Sequence, residues 1–121
     1  MIEMNVFRHA EAVDYGPGNK IFSTGEEGTA MYVIMEGEVD ILVGSQVVET
    51  AGPGSIFGEM ALIDKAPRSA SAVAKTACKL VMVDERRFQF LVQETPYFAL
   101  DVMAIMANRL RRANASAAQS A

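Results

Sequence analysis

Between Phe57 and Ala72 the chain reads Phe-Gly-Glu-Met-Ala-Leu-Ile-Asp-Lys-Ala-Pro-Arg-Ser-Ala-Ser-Ala, and the residues suited to chemistry gather there. Arg68 is the only arginine between Arg8 and Arg86, and it stands among small and apolar residues. A guanidinium in such company suits an anion, because its planar fork bonds paired oxygens in a way lysine does not reproduce. Pro67 fixes its own φ and restricts Ala66, so the arginine is presented on a stiff loop. Ser69 adds an N–H and a hydroxyl. Upstream, Gly58 lacks a Cβ and lets the backbone approach a ligand closely. If Glu59 to Ile63 form a helical turn, its first N–H groups lack internal partners and favour negative charge. The competing reading makes Arg68 a structural partner of Glu59 in a protein that binds nothing.

The surrounding elements must hold this stretch. Short β-type runs alternate with turn residues from Glu11 onward: 12–15, 20–23, Ala30–Glu36, Val39–Val43, 46–50, 55–57, 69–74 and Cys78–Asp84. Gly25, Gly28, Gly37 and Gly44 read as turn formers between them. About eight strands spaced 8–12 residues apart predict a mainly β fold, a sandwich or barrel. Ala30–Glu36 is continuously apolar, as a strand covered on both faces would be. At Asp84 the pattern changes: Asp84 is a good N-cap for a helix over about 84–94. Thr95 and Pro96 start a second helix running to about residue 113, with residues 114–121 as a frayed tail. Its apolar stripe is wide enough to pack on the barrel and partly on something else. Arg109, Arg111 and Arg112 fall in its expected last turns, where they suit the helix dipole.

Length and composition set the outer limits. The 121 residues, half of them hydrophobic and 21% charged, predict one folded domain with one core. No apolar run reaches the ~18 residues of a membrane-spanning helix, and the N-terminus lacks the apolar core of a secretory signal. The expected location is the cytoplasm, with no membrane partner. One His and one Cys do not make a His/Cys metal site, and no nucleophile–base pair is visible, so neither metal nor catalytic residues are expected and the protein is not read as an enzyme. The net charge of −4 disfavours nucleic acid. Residues 1–64 hold two basic and eleven acidic side chains, and residues 65–121 hold nine and four. The basic C-terminal helix is therefore suited to an acidic partner, such as the acidic half of a second copy.

The residues Gly18 to Val39, Gly-Asn-Lys-Ile-Phe-Ser-Thr-Gly-Glu-Glu-Gly-Thr-Ala-Met-Tyr-Val-Ile-Met-Glu-Gly-Glu-Val, resemble the first hairpins of the cyclic-nucleotide-binding domain family. Phe57 to Ala72 resembles that family's phosphate-binding cassette, and the similarity extends from about Asp14 to Arg112. The resemblance implies an eight-stranded jelly-roll β-barrel with flanking α-helices, and a cyclic nucleotide as ligand. In that setting Gly58, Met60 and Ala61 would bring backbone to the phosphate, with the Ala61 N–H as a donor, and Arg68 and Ser69 would hold its oxygens. Glu59 would accept the ribose 2′-hydroxyl, since an ionised carboxylate only accepts hydrogen bonds. Extending the resemblance without gaps puts Ala113 and Asn114 near the base, with Asn114 able to bond a purine edge. Ser69 leans the expected ligand to cAMP and leaves cGMP open.

The family's transcription regulators continue into a helix-turn-helix, for which the sequence up to Ala121 offers no counterpart. The expectation is a stand-alone cyclic-nucleotide sensor acting through a separate, unidentified effector protein, with a homodimer through the C-terminal helix as a further option. The alternative is an interaction module that leaves the pocket unused and pairs helices along Met103, Met106, Leu110 and Ala113, spaced 3, 4 and 3.

Overall fold

Strand β3, Ala30–Glu36, lies between two cores and gives the chain its architecture. Successive strand residues point to opposite faces, so Met31 and Val33 enter one apolar cluster while Tyr32 and Ile34 enter another. All four are buried, which is why the sequence runs apolar without alternation. The computed structural model describes the backbone of residues 1–120 and the side chains of residues 1–117; Ala121 lies outside the described residues.

Eight strands form two four-stranded antiparallel sheets among the described residues. With β1 Val13–Tyr15, β2 Lys20–Phe22, β4 Val39–Val43, β5 Gln46–Ala51, β6 Ile56–Phe57, β7 Ser71–Ala74 and β8 Cys78–Asp84, the orders are β1-β8-β3-β6 and β2-β7-β4-β5. This is the expected jelly-roll barrel. Between the sheets pack Phe22, Tyr32, Ile34, Val39, Phe57 and Leu80. On the outer face of the first sheet, Met31, Val33, Val81 and Val83 meet the helices.

Among the described residues, three helices and one short 3-10 turn complete the fold: Met4–Phe7, α1 Met60–Ile63, α2 Glu85–Glu94 and α3 Tyr97–Ser120. The N-terminal turn is anchored rather than loose, with Ile2 and Phe7 buried and the Phe7 ring edge-on to Phe98 at 5.9 Å. Asp84 caps α2 as expected, its carboxylate accepting from the Arg87 N–H at 2.8 Å. Phe98, Val102 and Ile105 of α3 are buried at helical spacing against the first sheet.

Helix α3 differs from the expectation. It continues to Ser120 where a frayed tail from 114 was expected, because Ala-rich sequence with no Gly or Pro offers nothing to stop it. Arg109, Arg111 and Arg112 are therefore mid-helix, and their expected match to the helix dipole does not apply. The expected pairing seam also divides: Met106 and Ala113 face a cavity, whereas Met103 and Leu110 face solvent. No helix among the described residues is long and apolar enough to cross a membrane.

Candidate functional site

The stretch after β6 leaves the edge of the first sheet and re-enters the second at β7, so it bridges the two sheets. Beside it opens a cavity of about 870 Å³, within the usual size range of small-molecule sites. Its floor is the cassette with Phe22 and Phe57, one wall is Val47, Val48 and Glu49 of β5, and its cover is Met106, Arg109, Arg112, Ala113 and Ser116 of α3. Six of the seven expected ligand residues line it: Gly58, Glu59, Met60, Ala61, Arg68 and Ser69.

Asn114 does not line it. Each helical residue turns the next by about 100°. With Ala113 and Ser116 facing the cavity, Asn114 falls on the exposed side of α3.

Arg68 is 8% exposed, an unusual state for a cation. Nη1 donates to the Gly58 carbonyl at 2.8 Å and Nη2 to the Ala30 carbonyl at 2.7 Å. The guanidinium lies 4.1 Å above the Phe22 ring, a cation–π contact. Its own backbone is laced to the turn before β3: its N–H donates to the Glu26 carbonyl, and its carbonyl accepts from the Gly25 N–H, both at 2.8 Å. Arg68 makes no ion pair among the described residues, so the structural pairing with Glu59 is not what holds it. Burial lowers its pKa from the usual arginine value, and Tyr32, Glu26 and Glu59 pull it part of the way back. The charge persists, because arginine stays protonated in proteins.

Two glycines make this seat. Gly58 has φ +77°, and a Cβ there would come within 2.6 Å of Nη1 of Arg68. Gly28, expected to be a turn former, has no positive φ; it clears the space that the Arg68 guanidinium fills.

Glu59 is 7% exposed and precedes α1, whose internal bonding begins with Leu62 and Ile63 donating to the Glu59 carbonyl. The Met60 and Ala61 N–H groups come before those bonds and are the unsatisfied donors of a helix start. The Glu59 carboxylate accepts from Nη1 of Arg109, an interaction across 50 residues of sequence. Arg109 also grips both oxygens of Glu49, at 2.8 and 3.1 Å. Neither Arg109 nor Glu49 was among the expected site residues. Their only sequence signal was the charge asymmetry, whose basic C-terminal half meets the acidic half of the same chain. Among the described residues no group of three or more His, Cys, Asp or Glu could hold a metal ion.

This arrangement offers a buried arginine fork, adjacent helix-start N–H groups and a buried carboxylate along one wall. The model of the cyclic nucleotide-binding domain matches residues 12–95. The chain belongs to that family. Over 105 residues it is 36% identical to the cyclic AMP receptor protein of Thermus thermophilus, covering 83% of this chain and 49% of that protein. Over 72 residues it is 42% identical to a cAMP-dependent protein kinase regulatory subunit of Eremothecium gossypii, covering 60% of this chain and 16% of that one. The crystal structure of the Thermus thermophilus catabolite activator protein matches with a TM-score of 0.78 at 33% identity, covering 90% of this chain and 54% of that one. The chain thus spans about half the length of the two Thermus thermophilus matches.

Proposed function

We propose that this domain is a regulatory sensor that binds a cyclic nucleotide, cAMP in preference to cGMP, and passes occupancy to a separate partner. The carrying observation is Arg68, a buried cation held by two carbonyls and a ring face with no carboxylate of its own. Burying an unpaired charge is costly, and an incoming anion relieves that cost. The cyclic phosphate would meet Arg68, Ser69 and the Met60 and Ala61 N–H groups beside Gly58, and the ribose hydroxyl would meet Glu59. Three arginines against two glutamates line the cavity, which favours a singly charged anion. The relatives whose names refer to cAMP support this choice of ligand.

Calorimetric titration with cAMP, cGMP and 5′-AMP tests the reading. Arg68→Ala should weaken cAMP binding by roughly 2–5 kcal/mol, the usual cost of removing one partner of a buried charge contact. Arg68→Lys should restore little, since it keeps the charge without the fork. Unchanged cAMP affinity in Arg68→Ala would reject the site.

Helix α3 is the element proposed to carry the signal, because it covers the cavity with one face and is exposed on another. Leu100 and Leu110 are 65% and 63% exposed, an apolar face suited to an effector protein or a second copy. The same face supports the second reading, an interaction module with an idle pocket. A thermal midpoint unmoved by millimolar cAMP would favour that reading, since a ligand that binds only the folded state must raise it.

A further inference from the structure

Two methionines line the cavity, Met60 in its floor at the start of α1 and Met106 in its cover on α3. Met60 is 42% exposed, so dissolved molecules reach its thioether through the cavity. Met106 is half-buried and also packs on the helix-covered core. Met31 is fully enclosed, while Met82 and Met103, 43% and 53% exposed, lie outside the cavity lining. Cys78, the one thiol of the chain, is buried. The Met60 sulfur is therefore the most accessible oxidisable group of the site. A thioether suits an apolar wall such as that of Ile41, Val47 and Val48. Its sulfoxide is polar and does not.

We infer that Met60 is an oxidation site through which a hydroperoxide weakens ligand binding at the cassette. This rests on the cyclic-nucleotide reading above. The sulfur lone pair attacks one oxygen of hydrogen peroxide, and the O–O bond breaks as the S–O bond forms. The departing hydroxide takes the proton of the transferred oxygen and leaves as water, so thioether and peroxide become sulfoxide and water. Sulfur gives up two electrons, and the peroxide takes them. The new oxygen accepts hydrogen bonds, which water supplies while the side chain faces solvent. A ligand that covers Met60 strips that water away, and the cost of burying an unpaired acceptor falls on binding. The oxygen also carries partial negative charge into a cavity whose proposed ligand is an anion. Methionine sulfoxide reductases reverse the step, so the lost affinity is recoverable.

The test treats the full chain with hydrogen peroxide, with and without saturating cAMP, and follows each methionine by peptide mass. Met60 and Met82, of nearly equal exposure, should gain oxygen at similar rates without ligand. With cAMP, Met60 should slow several-fold and Met82 should not. Calorimetric titration then reads the consequence. Protein oxidised at Met60, with Met31 intact, should bind cAMP about tenfold more weakly, a typical cost of burying an unpaired polar group. Repair by methionine sulfoxide reductases should restore the affinity. In Met60→Leu the ratio of dissociation constants after and before peroxide should stay close to unity, whatever the variant's own affinity, since leucine fills similar space without sulfur. Oxidised wild type that binds as tightly as the reduced protein overturns the inference. So does a Met60→Leu that loses as much affinity to peroxide as the wild type, or a Met60 that cAMP does not shield. Reduced wild type that binds no cAMP discards the cyclic-nucleotide reading itself, and this inference with it.

Discussion

An alanine at position 28 would place its Cβ 2.4 Å from Cζ of Arg68, too close for both to stay. The flexible guanidinium would be the group to move, leaving the Ala30 and Gly58 carbonyls without their donor. Gly28→Ala should therefore fold at a cost of roughly 1–2 kcal/mol for the lost hydrogen bonds, while cAMP affinity falls by about tenfold or more. Thermal denaturation and calorimetric titration read the two effects separately, and undiminished affinity would show that this seat does not order the arginine for its ligand. Arg68 and Glu59 were legible in the sequence because their motif is contiguous, with glycine, carboxylate, proline and arginine in fixed order. The role of Gly28 was not, since a clearance for a side chain 40 residues away leaves no local mark. Arg109 was hidden for the same reason: among other arginines on a helix, nothing in one dimension says which one turns inward.

At the scale of elements, α2 joins the barrel to α3, and its start is fixed by one side chain. Asp84 has extended backbone, and its carboxylate accepts from the Arg87 N–H, as a helix cap should. Asp84→Ala should cost about 1 kcal/mol of stability, read as a lower denaturant midpoint with an unchanged slope, and Asp84→Asn should recover most of it. A loss as large in Asp84→Asn as in Asp84→Ala would assign the effect to charge rather than capping. Elements with a local cause were legible: the cap, the doubly covered strand β3 and the glycine-marked hairpins. The end of α3 was not, because polar composition suggested fraying, whereas alanine's helical propensity and the absence of a breaker continue the helix. The expected strand at 69–74 began late for a related reason. Arg68 is tied to the Gly25–Glu26 turn, and pairing in β7 starts only at Ser71.

Across the whole molecule, the barrel interior and the helix-covered core share β3 and β8, so a change in one is felt by the other. Two buried titratable groups belong to the barrel interior among the described residues, Tyr32 on β3 and Cys78 on β8. Burial pushes the Tyr32 hydroxyl above its ordinary value, helped by Tyr15, and burial likewise pushes up the Cys78 thiol. Both folded pKa values are raised, so the native state holds these protons more tightly than the unfolded chain does. Their contribution to stability is complete below the ordinary values, about 8.5 for cysteine and 10 for tyrosine, and is lost as pH rises through the folded values. Lys79, raised by its pairing with Asp14, has the same sign but is fully exposed and adds little. Arg68, lowered by burial, has the opposite sign, but arginine stays protonated in proteins. The denaturant midpoint should therefore fall steadily from about pH 8 to pH 10.5, and less steeply in Cys78→Ala, where one of the two protons is gone. The comparison is between slopes, since the smaller side chain lowers stability at every pH. A midpoint that rises over this interval, or a Cys78→Ala slope equal to the wild type's, would mean that the thiol is not the group holding its proton in the barrel.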